Sequence, residues 1–334
     1  MPHGGHSLES SLSTDLPLGV HVLEPHGPTA PVALLHLPWS SPLSVDRAVD
    51  DILDRGATPW VCLAGHDAPS LSHWHHREAV PAFVDRASQA LRLVGDRVHT
   101  WLTHHAPPFA DRLGEVPRAS RAIATDPFLA AAHHVLLAHG RVAELLRTER
   151  PSARVGISLH LVPGTPASDS EADAVATVRH DQRVNRWFLD PLAGLGYPDE
   201  AVRRYRHVGR LPVQGPIPFV APGDMETIAT PIDFLGVAYR TRRVLRSQQI
   251  PEVANVPSTV RPVPPHHLDP EGREAFPAGM YDILMSSHAG RPTVLTEVGL
   301  RAPAVSVADH LDQVRRARRD GVDVRRVLLA PADL

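Results

Sequence analysis

The 334-residue sequence contains one cysteine, Cys62, and no lysine. A single cysteine excludes an internal disulfide framework and favours a reducing compartment, so we expect a cytoplasmic protein. The sequence has 34 basic residues, all of them arginine, and 37 acidic residues. The resulting net charge of −3 indicates no nucleic-acid partner. The first 18 residues contain no apolar stretch long enough for a signal peptide or a membrane span.

Histidine and proline are abundant, with 22 and 34 residues, and 43% of the chain is hydrophobic. The lysine-free composition is typical of GC-rich, actinobacterial genomes, which weakens any argument from the histidine count alone. Residues 1–18 are polar and predict a disordered arm. Residues 19–334 are long enough to bury a large core and show no clear linker, so we predict one domain there.

Short apolar runs alternate with helical patterns along that domain. The runs predict strands near residues 20–23, 32–37, 60–64, 98–103, 155–161, 234–239, 293–296 and 324–329. Helical patterns cover 45–55, 80–94, 128–146 and 310–319, while 162–231 reads as a long insertion. About eight strands in such an alternation predict an α/β fold, a (β/α)8 TIM barrel. The barrel is expected to be shortened at both ends, because only residues 25–31 separate the first two runs and no helical pattern follows the last one.

Several segments resemble one enzyme family. Residues 296–299 read T-E-V-G and residues 103–107 read T-H-H-A-P. Further matching segments are 131–140, 185–192, 231–237 and 276–282. In this order they resemble glycoside hydrolase family 1, the retaining β-glucosidases, whose catalytic strands read T-E-N-G and T-x-N-E-P. The resemblance runs from about residue 32 to the end, and within it residues 185–187 are expected to tie the insertion to the barrel.

The resemblance implies catalytic roles for some residues, and at other catalytic positions this sequence differs from the family. Glu297 matches the nucleophile, but Ala106 stands at the acid/base position. Retaining glycosidases need two carboxyl groups roughly 5–5.5 Å apart, and a methyl group cannot transfer a proton. Tyr239 and Arg240 fall at the family's N-Y-Y segment, where Arg240 replaces the tyrosine that contacts the nucleophile. We expect both to bind substrate, and an ion pair between Arg240 and Glu297 is the purely structural alternative.

Four histidines fall at or near the ends of different predicted strands. They are His36, His66, His105 and His160. His105, beside the lost acid/base, is predicted to be catalytic as a proton-transfer group, and the other three to bind substrate. Three of them with Glu297 could bind zinc, but no H-x-x-x-H spacing supports this, so we predict no metal and no cofactor.

Three functional interpretations stay open. The first is a repurposed enzyme acting on a glycoside, polyol or hemiketal-type small molecule in bacterial specialised metabolism. The second is a catalytically inactive barrel that binds a ligand or partner. The third is a retaining β-glucosidase limited to activated substrates. Uncovered apolar surface around Val327 and Leu328 further predicts a homodimer.

Overall fold

The protein is described by a computed structural model that covers residues 21–24, 31–37, 39, 44–65, 71–107, 126–247 and 263–329. The predicted arm, residues 1–18, lies outside these ranges. Eight strands close into a barrel: β1 (His21–Glu24), β2 (Val32–His36), β3 (Thr58–Ala64), β4 (Thr100–His105), β5 (Arg154–His160), β7 (Phe234–Tyr239), β9 (Thr293–Val298) and β10 (Val324–Leu329). Their order around the barrel is β1-β10-β9-β7-β5-β4-β3-β2. The predicted TIM barrel is confirmed.

Helices connect the strands on the outside. They are α1 (Ser44–Asp54), α2 (Leu71–Trp74), α3 (Ala79–Val94), α4 (Pro127–Glu149), α5 (Glu171–Val184), α6 (Arg186–Leu192), α7 (Asp199–His207), α8 (Asp224–Ile228), α9 (Ala278–Ser287) and α10 (Val307–Arg319). The expected insertion holds α5 to α8 and the strand β6 (Gly164–Pro166), which pairs with β8 (Arg243–Leu245) in a separate sheet. A short 3-10 helix spans Pro265–His267. No helix in the described part of the chain is long and apolar enough to cross a membrane.

Alternation of side chains along the strands produces two cores. Strand residues that face inwards fill the barrel, and those that face outwards pack against the helices. The inner core is formed by Val32, Leu34, Trp60, Cys62, Leu102, Phe234, Val294 and Leu328. The outer core is much larger and includes the buried faces of α3 and α4. The barrel is therefore a filled scaffold, and its chemistry must lie at the strand ends.

The first strand corrects the expectation of an all-parallel barrel. β1 pairs antiparallel with both β2 and β10, with Val22 opposite Ala33 and Leu329. The physical reason is the length of the connection, because residues 25–31 are too few for a parallel crossover, which needs a dozen or more residues. The barrel thus closes through a short antiparallel strand.

A homodimer was expected because apolar residues of the last strand would be uncovered, and the structure contradicts this reason. Leu328 points into the barrel and belongs to the inner core. Val327 and Leu329 belong to the outer core and are also buried within the single chain. The apolar surface that a second subunit was expected to cover is therefore already covered.

Candidate active site

Four of the singled-out residues meet at one end of the barrel. His36, His105 and His160 are the last residues of β2, β4 and β5, and Glu297 is the last residue but one of β9. These strands are parallel, so all four residues lie at their common C-terminal end, here called the barrel mouth. TIM-barrel enzymes carry their active sites at this end.

An irregularity in β4 decides which of its residues enter the mouth. The register of β4 against β5 shifts between Leu102 and His105. Thr103 faces outwards and shares a 2.8 Å hydrogen bond with His139 of α4. Simple alternation would turn the next residue inwards, but the His104 ring packs outside the barrel against Trp74 and Phe83. The irregularity thus delivers His105, rather than His104, to the mouth.

His105 is paired with another mouth histidine. Its ring centroid lies 5.0 Å from that of His36, and the two ring planes make an angle of 79°. Both side chains are buried, His105 almost completely. Gly65 makes this packing possible, because a Cβ there would lie 2.4 Å from Nδ1 of His36. Both histidines were predicted at strand ends, but nothing in the sequence predicts that their rings are in contact.

Ala106 continues β4 into the mouth with an unusual backbone. Its φ angle is +46°, in the left-handed region that costs a non-glycine residue about 1–2 kcal/mol. The backbone N–H of Ala106 donates to the carbonyl oxygen of Ser158 at 3.1 Å, which holds the chain in this conformation. Strained residues of this kind cluster at functional sites. The side chain is a methyl group, 8% exposed.

Glu297 is held by two hydrogen bonds from one guanidinium group. Arg240 donates from Nε to Oε2 at 2.7 Å and from Nη2 to Oε1 at 3.2 Å. The Arg240 side chain is 42% exposed and that of Glu297 is 19% exposed, so the pair faces the mouth. The ion pair that stood as the structural alternative is present, and substrate binding by Arg240 stays a prediction. Such fork-like pairing fixes the plane of a carboxylate as well as its position.

Tyr239 was predicted to bind substrate, but its side chain does not face the barrel mouth. Its side chain is fully buried on the outer side of the barrel, where the ring packs near His310 of α10. The hydroxyl group donates to the carbonyl oxygen of Phe276 at 2.5 Å. Burial raises the pKa of Tyr239 well above its usual value. Alternation along β7 explains this position, because Ala238 faces inwards and the next residue must face outwards.

The remaining predicted residues fall in two groups. His160 lies at the mouth opposite Ala238 in the register of β5 and β7. His66 lies outside the described residues, so its predicted substrate contact stays a prediction. Among the residues that the structure describes, no three histidine, cysteine or carboxylate side chains are grouped so that they could hold a metal ion.

A hydrogen bond inside the barrel was missed by the sequence reading. The hydroxyl groups of Ser158 on β5 and Thr296 on β9 lie 2.6 Å apart, although β7 separates these strands. Gly236 of β7 leaves the space, because a Cβ there would lie 2.7 Å from the Ser158 side chain. The period of two along β5, from Gly156 to His160, could have identified Ser158 as an inward-facing polar residue.

His133 of α4 belongs to a hydrogen-bond network outside the barrel. Nε2 of His133 donates to Asp224 at 3.0 Å, and its Nδ1 accepts from the Tyr197 hydroxyl at 2.9 Å. Arg77 and the backbone N–H of Ala221 also donate to Asp224. Burial alone would raise the pKa of Asp224, but these hydrogen bonds lower it well below its usual value. Burial lowers the pKa of His133 to about 4, so this imidazole is neutral near pH 7.

The architectural role predicted for residues 185–187 is confirmed by Asn185. Its Oδ1 accepts from the backbone N–H of Val162 at 2.9 Å, and its Nδ2 donates to the carbonyl oxygen of the same residue at 3.1 Å. The amide thereby ties the start of α6 to the segment that leaves β5. His133 and Asn185 both lie in segments that resemble the family, and both hold the scaffold together.

Comparison with known proteins gives a consistent result. Residues 45–329 match the family described as "Glycosyl hydrolase family 1". The bifunctional beta-D-glucosidase/beta-D-fucosidase of Bifidobacterium breve is 30% identical, over 84% of this chain and 67% of that protein. Beta-glucosidase A of Acetivibrio thermocellus is 26% identical, over 84% of this chain and 66% of that protein. The chain thus spans about two thirds of the length of these curated relatives.

Solved structures agree with the sequence matches. A psychrophilic beta-glucosidase from Micrococcus antarcticus superposes with a TM-score of 0.70 at 26% identity, covering 89% of this chain and 73% of that one. The AHE enzyme from Alicyclobacillus herbarius gives a TM-score of 0.71 at 26% identity, covering 87% and 72%. With the closed barrel, the carboxylate at the end of β9 and the match over residues 45–329, the chain belongs to glycosyl hydrolase family 1.

Proposed function

We propose that this protein is a repurposed family member that acts on a glycoside or a hemiketal-type small molecule, with Glu297 as the nucleophile. The observation that carries the proposal is the Arg240–Glu297 pair at the barrel mouth, which presents an oriented carboxylate where TIM barrels perform their chemistry. A carboxylate so placed can attack a sugar carbon and form a covalent intermediate. The glycosidase names of the relatives support the same reaction class.

Departure of the leaving group and hydrolysis of the covalent intermediate both require a further group that transfers a proton. Position 106 carries a methyl group, so the general acid of a retaining glycosidase is missing there. His105 is the neighbouring residue, and its ring faces the mouth against His36. We assign proton transfer to His105, because an imidazole can donate and accept protons near neutral pH. His36 and His160 would then contact the substrate beside it.

A binding barrel without catalysis is the second candidate, and a specific observation favours it. Both oxygens of Glu297 are already engaged by Arg240, and an arginine pair of this geometry can be purely structural. Nucleophilic attack would require Arg240 to loosen its hold on at least one oxygen. A β-glucosidase restricted to activated substrates is the third candidate, because a good leaving group departs without protonation.

Leaving-group dependence separates these candidates. Turnover of 2,4-dinitrophenyl and methyl β-glucosides is measured for the wild type, His105→Gln and Glu297→Gln. If His105 transfers the proton, His105→Gln lowers kcat/KM for the methyl glucoside by about 10²–10⁴ and hardly affects the dinitrophenyl glucoside. Glu297→Gln abolishes both activities. The third candidate is supported if the wild type does not turn over the methyl glucoside and His105→Gln turns over the dinitrophenyl glucoside as fast as the wild type. Absence of both activities in the wild type favours the binding barrel.

A further inference from the structure

A cavity lies at the opposite end of the barrel from the mouth. Its volume is about 320 Å³, within the range of small-molecule sites. Arg154, the first residue of β5, and Val324, the first residue of β10, line it, so it lies at the N-terminal ends of the strands. His160 ends the seven-residue β5 at the mouth. At about 3.3 Å per residue, the two ends are about 20 Å apart.

The lining of this cavity is strongly basic. Among the described residues that line it are four arginines and one carboxylate; the arginines are Arg154, Arg318, Arg325 and Arg326. The carboxylate, Asp323, accepts a hydrogen bond from Nε of Arg325 at 2.9 Å, and this pair is half exposed. Nε of Arg318 donates to the backbone carbonyl of Val324 at 2.7 Å, which does not neutralise its charge. The cavity therefore attracts anions.

Arg154 is the residue best placed to bind such an anion. Its guanidinium lies 5.9 Å from the centroid of the Phe234 ring in the barrel interior. It makes no ion pair with any residue in the described part of the chain. An arginine without a carboxylate partner keeps its planar set of donors available for a phosphate or carboxylate group.

The rest of the cavity wall is apolar. Trp60 and Val294 line it, and both belong to the inner core of the barrel. The ring of Trp60 lies 5.5 Å from that of Phe234, which extends the aromatic surface towards Arg154. A ligand that fits this wall has an anionic group at one end and an apolar body at the other. Free inorganic ions would use only the arginines.

We propose that this basal cavity binds a small organic anion. Its phosphate or carboxylate group is held by Arg154, with Arg318 contributing charge, and its apolar body rests on Trp60 and Val294. The site is separate from the barrel mouth and independent of catalysis by Glu297. Its occupation would stabilise the end of the barrel at which β5 and β10 begin.

The test is calorimetric titration of the full chain at constant ionic strength. The probes are phenyl phosphate and benzoate as the two kinds of oxyanion, and phenol as the uncharged control. We expect saturable binding of at least one anion and none of phenol. Arg154→Gln raises the dissociation constant of the anion by about tenfold or more, as expected for loss of charge-assisted hydrogen bonds. Arg240→Gln at the mouth and the exposed Arg92→Gln bind the anion like the wild type.

Asp323→Asn gives a second readout that does not depend on the folding of Arg154→Gln. Asp323 is half exposed, so its substitution leaves the core intact, and removing this carboxylate from the lining tightens anion binding about twofold or more. The proposal is overturned if folded wild type binds neither anion, if Arg154→Gln folds and binds unchanged, or if Asp323→Asn binds no more tightly. Loss of binding in Arg240→Gln would assign the anion to the mouth and overturn it as well.

Discussion

Residue 106, which the resemblance places at the family's acid/base position, is an alanine on a backbone with a φ angle of +46°. The N–H of Ala106 is anchored to Ser158, so the strand end is positioned independently of the side chain. A carboxyl group introduced there would face the same mouth as Glu297. The lost half of the chemistry should therefore be recoverable by a single substitution.

In a His105→Gln background, where the assigned proton-transfer group is absent, we expect Ala106→Glu to raise the hydrolysis of methyl β-glucoside by about 10²–10⁴, the usual contribution of general acid catalysis. The measurement is initial rate against pH with purified protein. Ala106→Gln is the matched control, because it has the same size and cannot act as an acid near neutral pH. Equal rates for the two variants would show that the mouth no longer binds a glucoside productively.

Residue-level patterns predicted part of the site. Glu297 and Arg240 were found because their segments match a motif, and the motif also placed them within reach of each other. Tyr239 was assigned wrongly by the same motif, because a motif carries no information on which side of a strand a residue faces. Counting alternate residues from the buried Phe234 would have placed Tyr239 outside the barrel.

At the scale of elements, the network around Asp224 joins pieces that are distant in sequence. Arg77 lies just before α3, His133 lies in α4 and Asp224 begins α8. Asp224 is almost completely buried, so its hydrogen bonds replace the water that the carboxylate lost on folding. Helix patterns alone could not predict this network, because it depends on how separate helices pack.

Removing this carboxylate should destabilise the fold without touching the mouth. We expect Asp224→Ala to lower the free energy of unfolding by about 1–3 kcal/mol, because the buried imidazole N–H of His133 loses its acceptor and the half-exposed Arg77 loses its ion pair. Glu144→Ala is the matched control: it removes an exposed i,i+3 pair with Arg141, which contributes about 0.5 kcal/mol or less. Urea denaturation measures both. A loss below 1 kcal/mol for Asp224→Ala would contradict a structural role for the network.

The strand elements themselves were predicted well, and the exceptions have physical causes. Apolar runs located all eight barrel strands within a few residues. The antiparallel direction of β1 was missed although the short connection of residues 25–31 already excluded a parallel crossover. The irregularity in β4 could not be predicted, because it arises from pairing with β5 and from the contacts of Thr103 with α4.

At the scale of the whole molecule, buried histidines make stability depend on pH. Burial lowers the pKa of His133 and His180 to about 4 and that of His139 to about 3. In the unfolded chain their pKa is about 6.5. Below pH 6.5 the unfolded state therefore binds protons that the folded state excludes, and stability falls until the folded pKa is reached. Above pH 6.5 both states are neutral and these groups have no effect.

Each of these histidines should cost about 2 kcal/mol of stability at pH 5 relative to pH 7.5. Urea titrations at the two pH values measure the sum. His180→Gln keeps a donor for the carbonyl of Val162 but cannot titrate, so its loss of stability between the two pH values should be smaller by about that amount. Equal stability of the wild type at pH 5 and pH 7.5 would show that these imidazoles are protonated in the folded protein.

The central claim is that Glu297 remains a working nucleophile in a barrel without the family's acid/base carboxylate. The most direct test is the intact-protein mass after incubation with 2,4-dinitrophenyl 2-deoxy-2-fluoro-β-glucoside, whose leaving group needs no protonation and whose fluorine slows hydrolysis of the intermediate. We predict that the wild type gains one fluoroglucosyl group, located on Glu297 by peptide mapping, and that Glu297→Gln gains none. An unmodified wild type, or equal labelling of Glu297→Gln, would contradict the claim.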